Sequence, residues 1–141
     1  PESVFLEFIS DSGFLNLDPV DCSKDLLLTL KEKGYWIQIL TARPGDNQAC
    51  VCDTFKWLRL NDMPYDMVSF SGNKLEWCEM SEYHETESIA FAIDDSPKHA
   101  KRYSSNSFMC YVPKKTYNTG VWKLENISTY DGLQELIEKI K

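Results

Sequence analysis

An α/β fold, with a parallel sheet covered by helices on both faces, is predicted by three features of the sequence. Short, mostly apolar runs closed by Gly, Pro or Asp alternate with stretches of helical periodicity, the pattern of parallel strands joined by right-handed crossovers. The 141 residues are 43% hydrophobic and 13% aromatic, enough for one domain core over 1–141. No internal repeat, low-complexity tract or linker interrupts the chain.

The elements follow in order. Ser3 to Ile9 (SVFLEFI) is apolar enough for a strand. Pro19 to Lys33 reads as a helix, with Leu26, Leu27 and Leu30 as one stripe, Lys31 and Lys33 in the last turn, and Gly34 in the stop position. Tyr35 to Leu40 has the length and composition of a buried parallel strand, bounded by Gly34 and by Pro44-Gly45. From Asp46 to Leu60, Val51, Phe55 and Leu58 recur at helical spacing, and Asn61 with Pro64 ends the helix. Met67 to Phe70 is a second strand, stopped at Ser71-Gly72. Lys74 to about His84 reads as a helix carrying Leu75, Trp77, Cys78 and Met80. Ile89 to Ile93 is a third strand, closed by Asp94-Asp95-Ser96-Pro97. A short helix (His99 to Tyr103), a fourth strand (Phe108 to Val112), a loop rich in Lys, Tyr, Asn and Gly, and a last helix (Thr129 to Ile140) complete the series. Tyr130, Leu133, Ile137 and Ile140 are the expected buried face of that last helix.

Composition narrows the function. With 22 acidic against 15 basic residues the formal charge is −7, which repels a polyanion and leaves no basic footprint for nucleic acid. A pocket for a small ligand fits better. No apolar run approaches the ~18 residues of a membrane span, and PESVFLEF has no basic n-region, so neither an anchor nor a signal peptide is expected and the predicted location is cytoplasmic. The chain opens on Pro1, which fits either a terminus trimmed of its methionine or a segment of a longer polypeptide. Five cysteines at irregular gaps argue for reduced thiols over a disulfide framework. Cys50-Val51-Cys52 is one residue short of CxxC, and His84 and His99 show no paired ligand spacing, so small buried thiols are the better reading than a zinc site.

In parallel sheets ligands gather at the carboxyl ends of strands, here the loops after Leu40, Phe70 and Ile93. Those loops carry Thr41-Ala42-Arg43-Pro44, Ser71-Gly72-Asn73-Lys74 and Asp94-Asp95-Ser96-Pro97. A hydroxyl, an ammonium and a carboxylate pair at successive strand ends suit a phosphate and Mg²⁺. Thr41 can donate to a phosphoryl oxygen, Lys74 can neutralise its charge, and Asp94 can hold the metal. Each also has an ordinary use: a Thr caps a turn, a loop Lys is solvated, and Asp-Asp-Ser-Pro starts a helix. Asp95 is either a second acidic group beside the metal or that helix's N-cap. Arg43 is either a contact to substrate phosphate or base, or a surface ion-pair residue. Trp36, Trp57, Trp77 and Trp122 read as packing residues. Lys114, Lys115 and Tyr117 form a basic-aromatic loop that is solvated or touches a nucleotide.

The order of ILTAR, SGNK and AFAIDD resembles the motif order of the haloacid dehalogenase-like (HAD) phosphohydrolases, over residues from about Gly13 to the C-terminus. Gly13-Phe14-Leu15-Asn16-Leu17-Asp18-Pro19 is similar to the stretch before the second strand of the 5'(3')-deoxyribonucleotidases. The resemblance implies a three-layer Rossmannoid sheet and hydrolysis of a phosphate monoester such as a nucleoside monophosphate, with Mg²⁺ as cofactor. It gives Thr41 and Lys74 catalytic and substrate-binding roles, Arg43 a place at the substrate, and Asp94 and Asp95 the metal. In that family an aspartate attacks phosphorus and a second aspartate two residues later acts as acid and base.

The chain departs from the family at that point. The nucleophile belongs to a DxD motif on the first, central strand. SVFLEFI runs instead into Ser10-Asp11-Ser12-Gly13, which holds one carboxylate, and Asp18 and Asp21 stand too far apart. Two explanations compete for residues 1–18, with 19–141 as the core in both. In one, Pro1 to Phe8 ends a helical cap, and the DxD strand lies upstream or on a partner chain, leaving an inner strand edge to be filled. In the other, Val4 to Ile9 has become the first strand of a catalytically inactive relative with a binding or structural role. A polynucleotide 3'-phosphatase-type domain is a third reading, opposed by the acidic balance.

Overall fold

The computed structural model describes residues 2–80 and 89–141. Its elements run α1 (Glu2–Ser10), α2 (Ser23–Glu32), β1 (Gln38–Thr41), α3 (Gln48–Leu60), β2 (Met67–Phe70), α4 (Lys74–Met80), β3 (Ala92–Ile93), α5 (Pro97–Ser105), β4 (Cys110–Pro113), a 3-10 turn (Thr119–Val121), β5 (Ile127–Tyr130) and α6 (Leu133–Ile140). The strand pairs are parallel: β1 with β2, and β3, β4 and β5 in that order. The protein is an α/β chain with small parallel sheets, divided into two compact units, Pro1–Gly72 and Asn73–Lys141. Among the described residues no helix is long and apolar enough to cross a membrane.

In the first unit, residues 2–10 form a helix, which overturns the strand reading of Val4 to Ile9. The run is apolar except at Ser3 and Glu7, which do not alternate as in a strand; Ile9 is buried while Val4 and Leu6 are exposed. The helix ends with Ser12 in the left-handed region (φ 57°), where the amide of Gly13 reaches the carbonyl of Phe8 at 2.8 Å. The next helix starts at Ser23, not Pro19, because 18–22 turns first and Cys22 is left-handed (φ 66°). It stops where predicted: Gly34 takes φ 84°, and the amides of Gly34 and Tyr35 return to Lys31 and Leu30.

β1 begins at Gln38, which leaves Tyr35 and Trp36 exposed and removes Trp36 from the packing residues. Asp66 sets the register just ahead of β2. Its carboxylate accepts from the amide of Ile37 at 2.7 Å and from Lys31 Nζ at 2.6 Å, and its own amide returns to the carbonyl of Ile37 at 2.9 Å. Gln38 then pairs with Met67 and Thr41 with Phe70. Gly45 passes so close to β2 that an added Cβ would stand 2.7 Å from Phe70 Cβ, a space only glycine leaves. α3 is capped by the Asn47 side chain on the amide of Cys50 at 3.1 Å, and so starts two residues later than predicted. Its buried face is Cys50, Asp53, Thr54 and Leu58; Phe55, expected inside, is exposed.

The core of the second unit joins Ala100 and Tyr103 of α5 to Cys110 and Val112 of β4 and to Val121, with Leu75, Cys78 and Ile127 packed against it. β3 is shorter than predicted. The predicted end of α4, including His84, lies outside the described residues. The larger correction is β5: Ile127–Tyr130 pairs with Cys110–Pro113, so Thr129 and Tyr130 belong to a strand and the last helix begins at Leu133. The connection from β4 contains only a 3-10 turn, so the usual helical crossover signal is missing. Leu136 and Ile137 are the buried residues of α6.

The amide of Ile37 and the ammonium of Lys31 hold the Asp66 carboxyl below its ordinary value of 3.8. A depressed carboxyl stabilises the fold fully above its ordinary value and loses that contribution as pH falls through the lower one. Asp66→Asn is therefore expected to destabilise the protein by about 1 kcal/mol at neutral pH, after allowance for solvent. Urea unfolding of both proteins should show the difference shrinking as pH falls below the carboxylate range.

Candidate functional site

The residues singled out in the sequence fall into two sets, Lys74, Asp94 and Asp95 in the second unit and Thr41 and Arg43 in the first. Lys74 opens α4. The preceding Asn73 caps that helix: its Oδ1 accepts from the amide of Glu76 at 3.3 Å and from Arg102 at 2.8 Å, and its Nδ2 donates to Glu76 at 2.6 Å. Asp94 follows β3, its amide tied to the carbonyl of Tyr111 at 3.2 Å. Lys74 Nζ meets Asp94 Oδ2 at 2.7 Å, with side chains 16% and 5% exposed. The other oxygen, Oδ1, accepts from the amide of Ser96 at 2.9 Å. A carboxylate with one charged and one neutral donor, nearly out of water, is held rigidly at the carboxyl end of a strand.

Asp95 points elsewhere. Its carboxylate accepts from the Tyr117 hydroxyl, which keeps the phenol proton on and raises that group above its ordinary value. Ser96 is the N-cap of α5, accepting from His99, so the capping role suggested for Asp95 belongs to its neighbour. The fully buried Asn118 ties this turn to the loop after β4. Its Nδ2 donates to the carbonyls of Asp95 at 3.0 Å and Pro113 at 2.8 Å, and its Oδ1 accepts from Trp122 Nε1 at 2.8 Å and the amide of Lys115 at 3.1 Å. Of the basic-aromatic loop, Tyr117 serves Asp95 and Lys114 reaches Asp131 at 3.5 Å.

Titratable groups surround the pair. His99 is buried and its Nδ1 has no hydrogen-bond partner among the described residues; burial lowers its pKa, while Asp94 pulls it up and Lys74 pushes it down. Burial pushes Cys110 up to about 12, with Asp94 adding to the effect. Burial also raises Tyr103 and Cys78. Neither thiol is a nucleophile at neutral pH.

In the first unit, Thr41 Oγ1 accepts from the amide of Arg43 at 3.2 Å, closing the turn after β1. Its hydroxyl proton has no acceptor among the described residues and is available to a ligand. The Arg43 guanidinium donates to Thr54 Oγ1 at 3.0 Å and lies over the Phe14 ring, 4.1 Å from its centroid. Burial lowers its pKa, opposed by the nearby Cys50. Cys50 is buried and Cys52 exposed, as expected for residues about 200° apart around a helix, so the two thiols do not face one ion. An open cleft of about 640 Å³ lies along α3 between Val51, Phe55, Arg59 and Tyr65; neither Thr41 nor Arg43 lines it.

Mg²⁺ takes hard oxygen ligands, commonly one or two carboxylates with water and phosphate oxygens. Asp94 fits as one such ligand, because each of its oxygens holds a single hydrogen bond and retains acceptor capacity. Asp95 already accepts from the Tyr117 hydroxyl through one carboxylate oxygen. Among the described residues no three His, Cys, Asp or Glu side chains gather as a metal-holding group. Compared with known proteins, the chain matches no protein-family model and no curated protein.

Sequence reasoning missed Asn118, Phe14, Thr54 and His99 as supports of these loops. A Thr four residues after Cys50 on a helix was a usable signal, because its hydroxyl bonds back to that carbonyl (2.8 Å) and offers its oxygen sideways. Asn118 carried none, being one Asn in a polar loop. Asn118→Leu is expected to cost about 3 kcal/mol, since it strands several buried polar groups at once. Thermal unfolding measures that loss, and the indole Nε1–H signal of Trp122 should move with it.

Proposed function

We propose that this chain carries most of a Mg²⁺-dependent phosphate monoester hydrolase of the HAD type, nucleotidase-like in substrate, whose three-layer sheet is completed by a DxD-bearing strand from an upstream segment or a partner chain. The observation that carries the reading is the Lys74–Asp94 pair, 2.7 Å apart and nearly out of water at a helix start and a strand end, in the family's motif order. Lys74 supplies a compact cation for a phosphoryl oxygen and Asp94 a metal ligand. Bound Mg²⁺ screens the repulsion between an attacking carboxylate and a phosphate dianion. The competing reading of an inactive module leaned on a central strand over Val4 to Ile9, and those residues form α1 instead. That outcome favours the cap reading of the first residues.

The test is phosphate release from deoxynucleoside monophosphates by the full-length protein in Mg²⁺. Asp94→Asn keeps an acceptor for the Ser96 amide but leaves Lys74 without its counter-charge; it is expected to lower kcat by about 100-fold or more, read at a temperature where circular dichroism shows the variant folded. Unchanged turnover in the variant, or no release from any monoester by the wild type, overturns the reading.

A further inference from the structure

Arg43 is a half-buried cation in an acidic protein. The formal charge is −7, yet among the described residues no carboxylate lies within ion-pair distance of this half-buried guanidinium. What holds it is neutral. One N–H group is spent on Thr54 Oγ1, whose own proton goes to the carbonyl of Cys50. One face is covered by Phe14. A guanidinium carries five N–H donors, so most of its fork stays open.

The support beneath it is built in layers. Gly13 has no side chain, and the Phe8 ring occupies the place a Cβ would take, 2.2 Å from it. Phe8 meets Phe14 edge to face, with centroids 5.0 Å apart, and Phe14 carries the guanidinium. The same segment is pinned to α3 by Trp57 Nε1 on the carbonyl of Leu17 at 2.6 Å. A cation stacked on an aromatic face, oriented by one hydroxyl and left without an anion, is preorganised for an oxyanion from outside.

The geometry points to Arg43 as a preformed receptor for a phosphate-type oxyanion, with Phe14 as its positioning residue, so that the segment between α1 and α2 sets ligand affinity through the ring beneath the guanidinium. This rests on the phosphate hydrolase reading only for the choice of anion.

The experiment is a titration of the full-length protein with inorganic phosphate, following the Arg43 Nε–H resonance, which Arg43→Lys assigns by its loss. Saturable movement of that signal is expected in the wild type. Isothermal calorimetry should find phosphate affinity about tenfold weaker in Arg43→Lys, which keeps the charge and loses the fork. It should be about fivefold weaker in Phe14→Leu and restored in Phe14→Tyr, with all variants melting as cooperatively as the wild type. Unchanged affinity in Arg43→Lys or Phe14→Leu overturns the proposal, as does a still Nε–H signal. Asp94→Asn separates the two readings. Arg43 responding to phosphate in a protein without phosphatase activity sinks only the hydrolase. Asp94-dependent turnover with phosphate affinity indifferent to Arg43 sinks only the receptor.

Discussion

Lys74 and Asp94 leave water together, and the second unit is arranged around that pair. Burying either charge alone is prohibitive, and even a matched pair recovers its desolvation only with good geometry and further hydrogen bonds. Asp94 meets both conditions through Lys74 and the Ser96 amide. Removing one partner from such a pair costs about 3–5 kcal/mol. The end of β3, the start of α4 and the start of α5 are thereby held to one another through the two oxygens of one carboxylate and their two donors. Asn118 performs the neighbouring task without charge, locking the turn at Asp95 to the loop after β4.

The first unit solves a similar problem with different chemistry. Asp66 ties the approaches to β1 and β2 through one amide and one ammonium, and so sets which residues of the two strands face each other. Thr41 and Thr54 use hydroxyl oxygens to hold the Arg43 loop. The polar face of α3 that results is unusual for a buried helix face, and it has a purpose: Thr54 is inside because Arg43 needs an acceptor there. Burial raises the Cys50 and Cys110 thiols, so these two cysteines serve as packing groups.

How far the sequence anticipates this depends on whether a feature is encoded locally. β2 and the Gly34 stop were legible because the residues that create the boundary sit at the boundary. The positions of Thr41, Lys74 and Asp94 at the ends of elements were legible because the residues that close a strand or open a helix lie beside them in the chain. α1 was not, since SVFLEFI suits either period. β5 was not, because a crossover without a helix removes the cue that a parallel strand comes next. The buried face of α3 was misplaced by following hydrophobicity, which cannot show that Asp53 and Thr54 go inside. The Phe14–Arg43 contact and the Asn118 hub join residues distant in sequence, and only the folded chain brings them together.

We propose that Asp94 serves as a Mg²⁺ ligand beside Lys74. Calorimetric Mg²⁺ binding to the full-length protein and its Asp94→Asn variant tests it most directly. A saturable Mg²⁺ heat is expected in the wild type, and its loss in the variant. Equal Mg²⁺ binding by the two proteins would contradict it.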